Sequence, residues 1–286
     1  IMFRSFYAMI NSRFTAPDGR PTNAIYGFLQ TILKIIEEET PNYIGISFDM
    51  AAPLKRLEIY KDYKAGRMKM PEDLAEQMVM IKEILKDMNI PIYEKAGDEA
   101  DDINGTLAKA FSKRGCDVCI LTGDRDYFQL IDEKIYIKYP KIINKKTEYI
   151  SYDVEKIEEE YGVSPESLIE VKGLMGDSSD NIPGIAGVGE KTALKLIKEY
   201  ESIDGIYEKI EKDEDDIAKG LRKKLSEGKD IAYMSRKLGE IVTDLDIEYD
   251  IKDMEYITWK NENVYSALKK LNITSIISKY NLENYS

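Results

Sequence analysis

Histidine is absent from this 286-residue chain, cysteine occurs twice, and tryptophan occurs once. Without histidine the commonest general base is gone, and so are the Ser–His and Cys–His arrangements of nucleophilic catalysis. Imidazole is also unavailable as a metal ligand. The two cysteines, Cys116 and Cys119, lie in a C-x-x-C spacing inside the apolar run Asp117-Val-Cys-Ile-Leu-Thr122, which reads as a strand. Redox pairs of that spacing sit where a helix begins, and no further Cys or His can complete a zinc site. Buried core thiols are therefore expected. No run approaches the roughly 20 apolar residues of a membrane span, and no basic, apolar signal segment opens the chain. The expected location is cytoplasmic, with no membrane partner. No internal repeat or low-complexity linker is visible.

Carboxylates, lysine, arginine, tyrosine and bound metal are left to carry any chemistry. Hydrophobic residues make up 43% of the chain, so it should be globular. Its length suits one large domain or two small ones. The formal net charge of −12 runs against the basic footprint of most nucleic-acid binders. Net charge hides distribution, however, and a site that gathers carboxylates around metals lowers the total by itself.

Strand and helix signals alternate in the first half. Ala24, Ile25, Phe28, Leu29, Ile32, Leu33 and Ile36 recur at helical spacing. Segments 43–48, 90–93, 118–122 and 134–138 read as strands, and helices are expected to open at Pro71 and at Glu99. This pattern predicts an α/β region over 1–150 with a mostly parallel sheet flanked by helices. Residues 151–286 read as a helical region, with helices over 152–161, 165–175, 190–200, 203–211, 215–227 and 263–271.

The acids concentrate at the carboxyl ends of the strands. Asp49 follows the first strand. Glu99, Asp101 and Asp102 follow the second and open a helix. Asp124 and Asp126 follow the third. Asp177 and Asp180 are three apart, so they share one side if that segment is helical. Carboxylates packed this closely repel one another, and hard divalent cations such as Mg²⁺ remove the repulsion. Two such ions suit phosphodiester hydrolysis. Solvated loop acids and helix caps are the plain alternative, and Asp101 is the residue that best fits a simple first-turn role.

Two basic stretches stand out. Gly184-Ile-Ala-Gly-Val-Gly-Glu-Lys-Thr-Ala193 is Gly-rich and enters a helix carrying Lys191, Lys195 and Lys198, an arrangement suited to backbone phosphate. An ordinary helix–turn–helix corner is the alternative. The Walker A order Gly-Lys-[Ser/Thr] is missing. The second stretch, Lys55, Arg56, Lys61, Lys64, Arg67 and Lys69 with Tyr60 and Tyr63, suits a frayed single strand, or forms a solvated charged helix.

Phe3-Arg-Ser-Phe-Tyr7, Phe48-Asp49, Tyr60-Lys-Asp-Tyr-Lys-Ala-Gly-Arg67, Ala100-Asp-Asp, Leu121-Thr-Gly-Asp-Arg-Asp126, Gly176-Asp-Ser-Ser-Asp-Asn-Ile-Pro-Gly184 and Gly187-Val-Gly-Glu-Lys-Thr-Ala193 occur in this order. Together they resemble the 5′→3′ exonuclease/flap endonuclease family, and in particular the 5′-nuclease domain of bacterial DNA polymerase I. The resemblance implies a PIN-like α/β nuclease fold with a helical arch at about 53–70. It also implies a helix–three-turn–helix DNA clamp at about 172–200. It implies one metal position from Asp49, Glu99 and Asp101 or Asp102, and a second from Asp124, Asp126, Asp177 and Asp180. The ions would be two, or three, of Mg²⁺ or Mn²⁺, with a monovalent cation at the 184–192 turn. Arg4, Lys64 and Arg67 would act on the reacting strand. Gly184, Gly187, Gly189, Lys191, Thr192 and Lys195 would grip duplex backbone.

The implied substrates are DNA with 5′ ends, flaps or nicks and RNA primer–DNA hybrids, handled by a monomer in primer removal and repair. Family members open with an apolar strand ending in a metal-binding Asp, which this sequence lacks before Phe3-Arg4, so a lost amino-terminal segment is expected. A family member that grips branched DNA without cutting it is the alternative, resting on that missing Asp. A PIN-type ribonuclease is a third reading, and the long helical region weighs against it.

Overall fold

The computed structural model describes residues 1–52 and 54–286. In chain order it contains α1 (Met2–Ala8), α2 (Asn23–Glu39), β1 (Ile46–Ser47), α3 (Arg56–Ile59), α4 (Glu72–Asp87), β2 (Ile92–Tyr93), α5 (Ala100–Lys113), β3 (Val118–Leu121), β4 (Ile135–Ile143), β5 (Lys146–Tyr152) and α6 (Val154–Tyr161). There follow α7 (Leu168–Met175), α8 (Glu190–Tyr200), α9 (Ile203–Lys212), α10 (Lys219–Glu227), α11 (Lys229–Gly239), α12 (Glu262–Lys270) and α13 (Thr274–Tyr280). Short 3-10 segments occupy Arg125–Leu130, Pro165–Ser167 and Leu282–Tyr285.

The chain divides into two compact units. One comprises residues 1–48, 68–94 and 247–286, the other 49–67 and 95–246. In the first unit β1 and β2 pair in parallel, Ile46 with Ile92 and Ser47 with Tyr93. The start of α2 lacks a side-chain cap of its own. The fully buried Gln77 of α4 supplies one, its Oε1 accepting the N–H groups of Ala24 (2.7 Å) and Ile25 (3.2 Å). Helix starts leave such donors unpaired, so this single amide ties α2 to α4.

In the second unit β4 is central: it runs parallel to β3 and antiparallel to β5. Phe128, Ile135, Ile137, Tyr152 and Ile157 are buried around these strands. The helices that follow share another core, with Leu174, Ile203, Ile206, Leu225 and Ala232 fully covered. Each fully buried large aliphatic side chain contributes about 1.5–3 kcal/mol.

Among the described residues the expected single sheet is instead two sheets, of two and three strands, with an antiparallel edge strand β5. β5 eluded the sequence because its turn is Asn144-Lys145, both left-handed (φ 50° and 64°), without the glycine that usually marks such a hairpin. Nor is the segment after Pro53, itself outside the described residues, a continuous helical arch. Only α3 is helical, and positive φ at Lys64 (57°) and Gly66 (86°) turns the chain repeatedly. Cys116 and Cys119 are half-buried rather than core thiols, since β3 covers only Ile120 fully.

Candidate metal centre

All the acids singled out in the sequence fall in the second unit. Asp49 accepts the N–H of Ala100 at 2.8 Å, capping the first turn of α5. Glu99 is the residue before that helix and is buried. Asp124 caps the 3-10 segment, accepting the N–H of Asp126 at 2.9 Å. Asp177 and Asp180 do not lie on a helix. Asp177 and Ile182 exchange backbone hydrogen bonds of 2.9 and 2.8 Å, closing a tight turn that holds the two acids together.

One carboxylate oxygen from each of Asp126, Asp177 and Asp180 lies within 4.8 Å of the others. Among the described residues Asp49, Glu99 and Asp101 do not come together that closely. The Asp124 charge acts on both Asp101 and Asp126. Cations already face these acids. The ammonium of Lys172 bonds to Asp126 and, at 2.7 Å, to Asp177. Lys64 bonds to Glu99, and Arg67 to Asp180.

Burial, then the neighbouring Asp124 charge, pushes Asp101 up to about 7, against the opposing hydrogen bond from Tyr127 (2.8 Å). Burial likewise pushes Asp126 up to about 6, with Lys172 opposing and Asp124 and Asp177 adding. Burial disfavours the charged form of Asp177 too, but hydrogen bonds from Lys172 and Ser179 prevail and hold it below the usual carboxylate range. Desolvation lowers Lys64. Raised carboxylates in an oxygen-only donor set fit a hard divalent cation, which would restore their ionised form.

Asp102 behaves differently. Its Oδ1 accepts from Arg56 Nη2 (2.8 Å) and the N–H of Val242 (2.8 Å), and its Oδ2 from Arg56 Nη1 (2.6 Å) and the N–H of Glu99 (3.2 Å). Both oxygens are thereby saturated, and the side chain is 1% exposed. The expected roles of the two neighbours are reversed. Asp102 is the helix-capping acid, and Asp101 faces the other carboxylates. Arg56 also donates to Glu99 Oε2 at 2.9 Å and to the carbonyls of Leu238 and Glu240. Tyr63 is buried, its hydroxyl donating to the same Glu99 oxygen at 2.9 Å, so it is no base-stacking platform.

Lys172 was missed in the sequence. Its only signal is a lysine in the mostly apolar helix α7, five residues before Asp177. It also borders a cavity of ≈ 210 Å³ lined by Arg125, Tyr161 and Glu190.

The Gly-rich turn divides its glycines between two jobs. Gly184 is buried, and its N–H donates to Ser235 Oγ at 3.0 Å. A Cβ on Gly176 would stand 2.5 Å from the Ile182 carbonyl oxygen and 2.7 Å from Gly184 N. These two glycines let backbone pack on backbone, and the Gly184 N–H is already taken by Ser235. Gly187, Gly189, Lys191 and Lys195 are exposed, and Thr192 is half-buried. A Cβ on Gly189, the residue before α8, would meet nothing within 4 Å. Arg4 is exposed on α1, in the other unit.

Two family descriptions match in order: 5′-3′ exonuclease, N-terminal resolvase-like domain, over residues 1–162, and 5′-3′ exonuclease, C-terminal SAM fold, over residues 163–262. DNA polymerase I of Caldicellulosiruptor bescii is 41% identical over 99% of the chain, and that of Bacillus subtilis 40% over 98%. The chain spans about a third of these relatives, 32% and 31% of their lengths. T5 5′-exonuclease with divalent zinc ions bound shares the fold, with a TM-score of 0.65 at 20% identity over 94% of each chain. So does the bacteriophage T5 flap endonuclease in a pseudo-enzyme-product complex with DNA and metal ions, with a TM-score of 0.62 at 19% identity over 86% of this chain and 90% of that one. With both of the family's domains present in order, as its motifs implied, the chain belongs to the 5′-3′ exonuclease family.

Proposed function

We propose that this chain hydrolyses DNA phosphodiesters at 5′ ends and at 5′ flaps, using divalent cations held by its acidic edge. The observation that carries the reading is the convergence of Asp126, Asp177 and Asp180, beside a second group of acids bearing the raised Asp101. In this reading Asp49, Glu99 and Asp101 hold one ion and Asp126, Asp177 and Asp180 another, with Asp124 serving both. Such ions supply a polarised water and neutralise charge on phosphate, and the hard oxygen ligands favour Mg²⁺ or Mn²⁺. Lys64 and Arg67, now on Glu99 and Asp180, are free to turn to the phosphate once cations neutralise those acids. Arg56 and Tyr63 keep Glu99 Oε2 fixed, which aims Oε1 at the site.

Residues 1–150 form the nuclease region of this proposal, and 151–286 the helical region that holds duplex. Exposed Lys191 and Lys195 grip backbone there beside Gly187, Gly189 and Thr192, and nicked DNA and RNA primer–DNA hybrids fit the same contacts. Lys191→Ala should weaken binding similarly for unrelated sequences and flatten the salt dependence by about one unit. Binding titrations at several salt concentrations check this, and a sequence-selective loss would contradict it. The activity itself is tested with a 5′-labelled duplex carrying a single-stranded 5′ flap. Release of the flap with Mg²⁺, abolished by a chelator, is the expected result. Tight binding without release returns the non-cleaving alternative.

A further inference from the structure

We propose that Asn181 is a positioning residue, which clasps the turn carrying Lys64 and Arg67 to the turn carrying Asp177 and Asp180. This role rests on the nuclease reading above. Lys64 bonds to Glu99 and Arg67 to Asp180. To reach a phosphate, both side chains must leave those acids. A turn held by the two ion pairs alone would then come away from the site with them.

Contacts that use neither cationic side chain join the two turns. The side-chain amide of Asn181 donates to the Asp62 carbonyl at 2.6 Å. The Lys64 N–H donates to the Asp180 carbonyl at 2.8 Å. Between them, Tyr63 and Ile182 are buried in a small apolar cluster with Leu238. Residues 62, 63 and 64 thus meet 181, 182 and 180, all within one compact unit. The Asp62 carbonyl also accepts the N–H of Ala65 at 2.9 Å, and the Lys64 carbonyl that of Arg67 at 3.2 Å. Both lone pairs of the Asp62 oxygen are therefore in use, one inside the turn and one on Asn181.

The backbone of both turns is set for this clasp. Lys64 has φ 57° and Asn181 φ 54°. Left-handed backbone is uncommon outside glycine, and asparagine tolerates it. Lysine has no such ease, so its neighbours must enforce the conformation. That conformation sends the Lys64 N–H to Asp180 and its ammonium to Glu99, one in each group of acids. Released from Glu99 and unclasped, Lys64 would relax toward ordinary φ and draw its ammonium away from the acidic edge.

Asn181→Gly removes the amide without straining a left-handed backbone. Asn181→Asp keeps the shape and that tolerance but cannot donate. In the metal-free chain, with chelator present, trypsin cleavage after Lys61, Lys64 and Arg67 reports opening of the turn. Losing one ordinary hydrogen bond raises a locally open population about three- to tenfold. Cleavage there should speed by that factor in both variants, while cleavage at other sites changes far less. With Mg²⁺, single-turnover flap release should slow by a similar factor, and binding of the flapped duplex in Ca²⁺ should stay nearly unchanged. Adding Asn181→Gly to the Lys64→Ala, Arg67→Ala double variant should cost little further rate, because Asn181 acts through those two residues. Losses that multiply in full in the triple variant overturn the proposal. Trypsin cleavage of the turn at the parent's rate also overturns it. A parent chain that releases no flap is a separate result: it removes the nuclease reading, and the positioning role with it, whatever trypsin shows.

Discussion

Asp126→Asn is expected to slow flap cleavage at saturating Mg²⁺ by about 100-fold or more, with DNA binding in Ca²⁺ nearly unchanged. Asp126 lies with Asp177 and Asp180 in a group whose oxygens are within 4.8 Å. Changes one step removed from a metal typically cost 10–100-fold, so loss of a direct ligand should exceed that. The fold should tolerate the exchange. Burial already pushes Asp126 up to about 6, so its ionised form is held at a cost in the metal-free chain. Asn removes that charge while Lys172 keeps Asp177 at 2.7 Å. Single-turnover rates and melts on the same preparation check both halves. Near-normal cleavage would remove Asp126 from the metal centre.

Asp102→Ala should do the opposite and strike stability first. Arg56 is only 12% exposed along its side chain, and Asp102 supplies two of its hydrogen bonds and its closest negative charge. Removing one partner of a buried ion pair typically costs about 3–5 kcal/mol. At the 2–4 °C per kcal/mol usual for larger domains, Tm should fall by on the order of 10 °C. The N–H groups of Val242 and Glu99 lose their acceptor as well. Asp102→Asn keeps acceptor capacity and should fall less. If Asp102→Ala melts like the parent but no longer cleaves, Asp102 is a ligand after all.

The contrast between these acids shows what the sequence could and could not convey. That three strand ends carry carboxylates was legible, because strand and helix signals alternate clearly through residue 126. Which of two adjacent acids faces the site was not. Asp101 and Asp102 differ only in where α5 points them, and the deciding partners, Arg56 and Val242, lie 46 and 140 residues away. Asp177 and Asp180 were paired correctly for the wrong reason: a closed turn, rather than a helix, brings them together. The basic stretch from Lys55 to Lys69 read as a grip on a frayed single strand, with a solvated charged helix as the alternative. In the fold Arg56, Lys64 and Arg67 are drawn onto acids, a consequence of tertiary charge that local spacing does not encode. The glycines of 184–189 were legible as a turn, while their division into packing and open positions depends on which backbone lies opposite.

That these acids form a cation site is tested most directly by the melting temperature with and without Mg²⁺ at two pH values. Asp101 and Asp126 titrate at about 7 and about 6 in the fold, against an ordinary value of 3.8. Between about pH 4 and 7 the folded chain therefore holds protons that the unfolded chain has lost. Their contribution to stability falls as pH rises through that window and levels off above it. Mg²⁺ must displace those protons to bind, and it relieves most repulsion where the acids are ionised. The account predicts a clear rise in Tm with Mg²⁺ at pH 8 and a much smaller one at pH 5. A Tm that ignores Mg²⁺ at both pH values would contradict it.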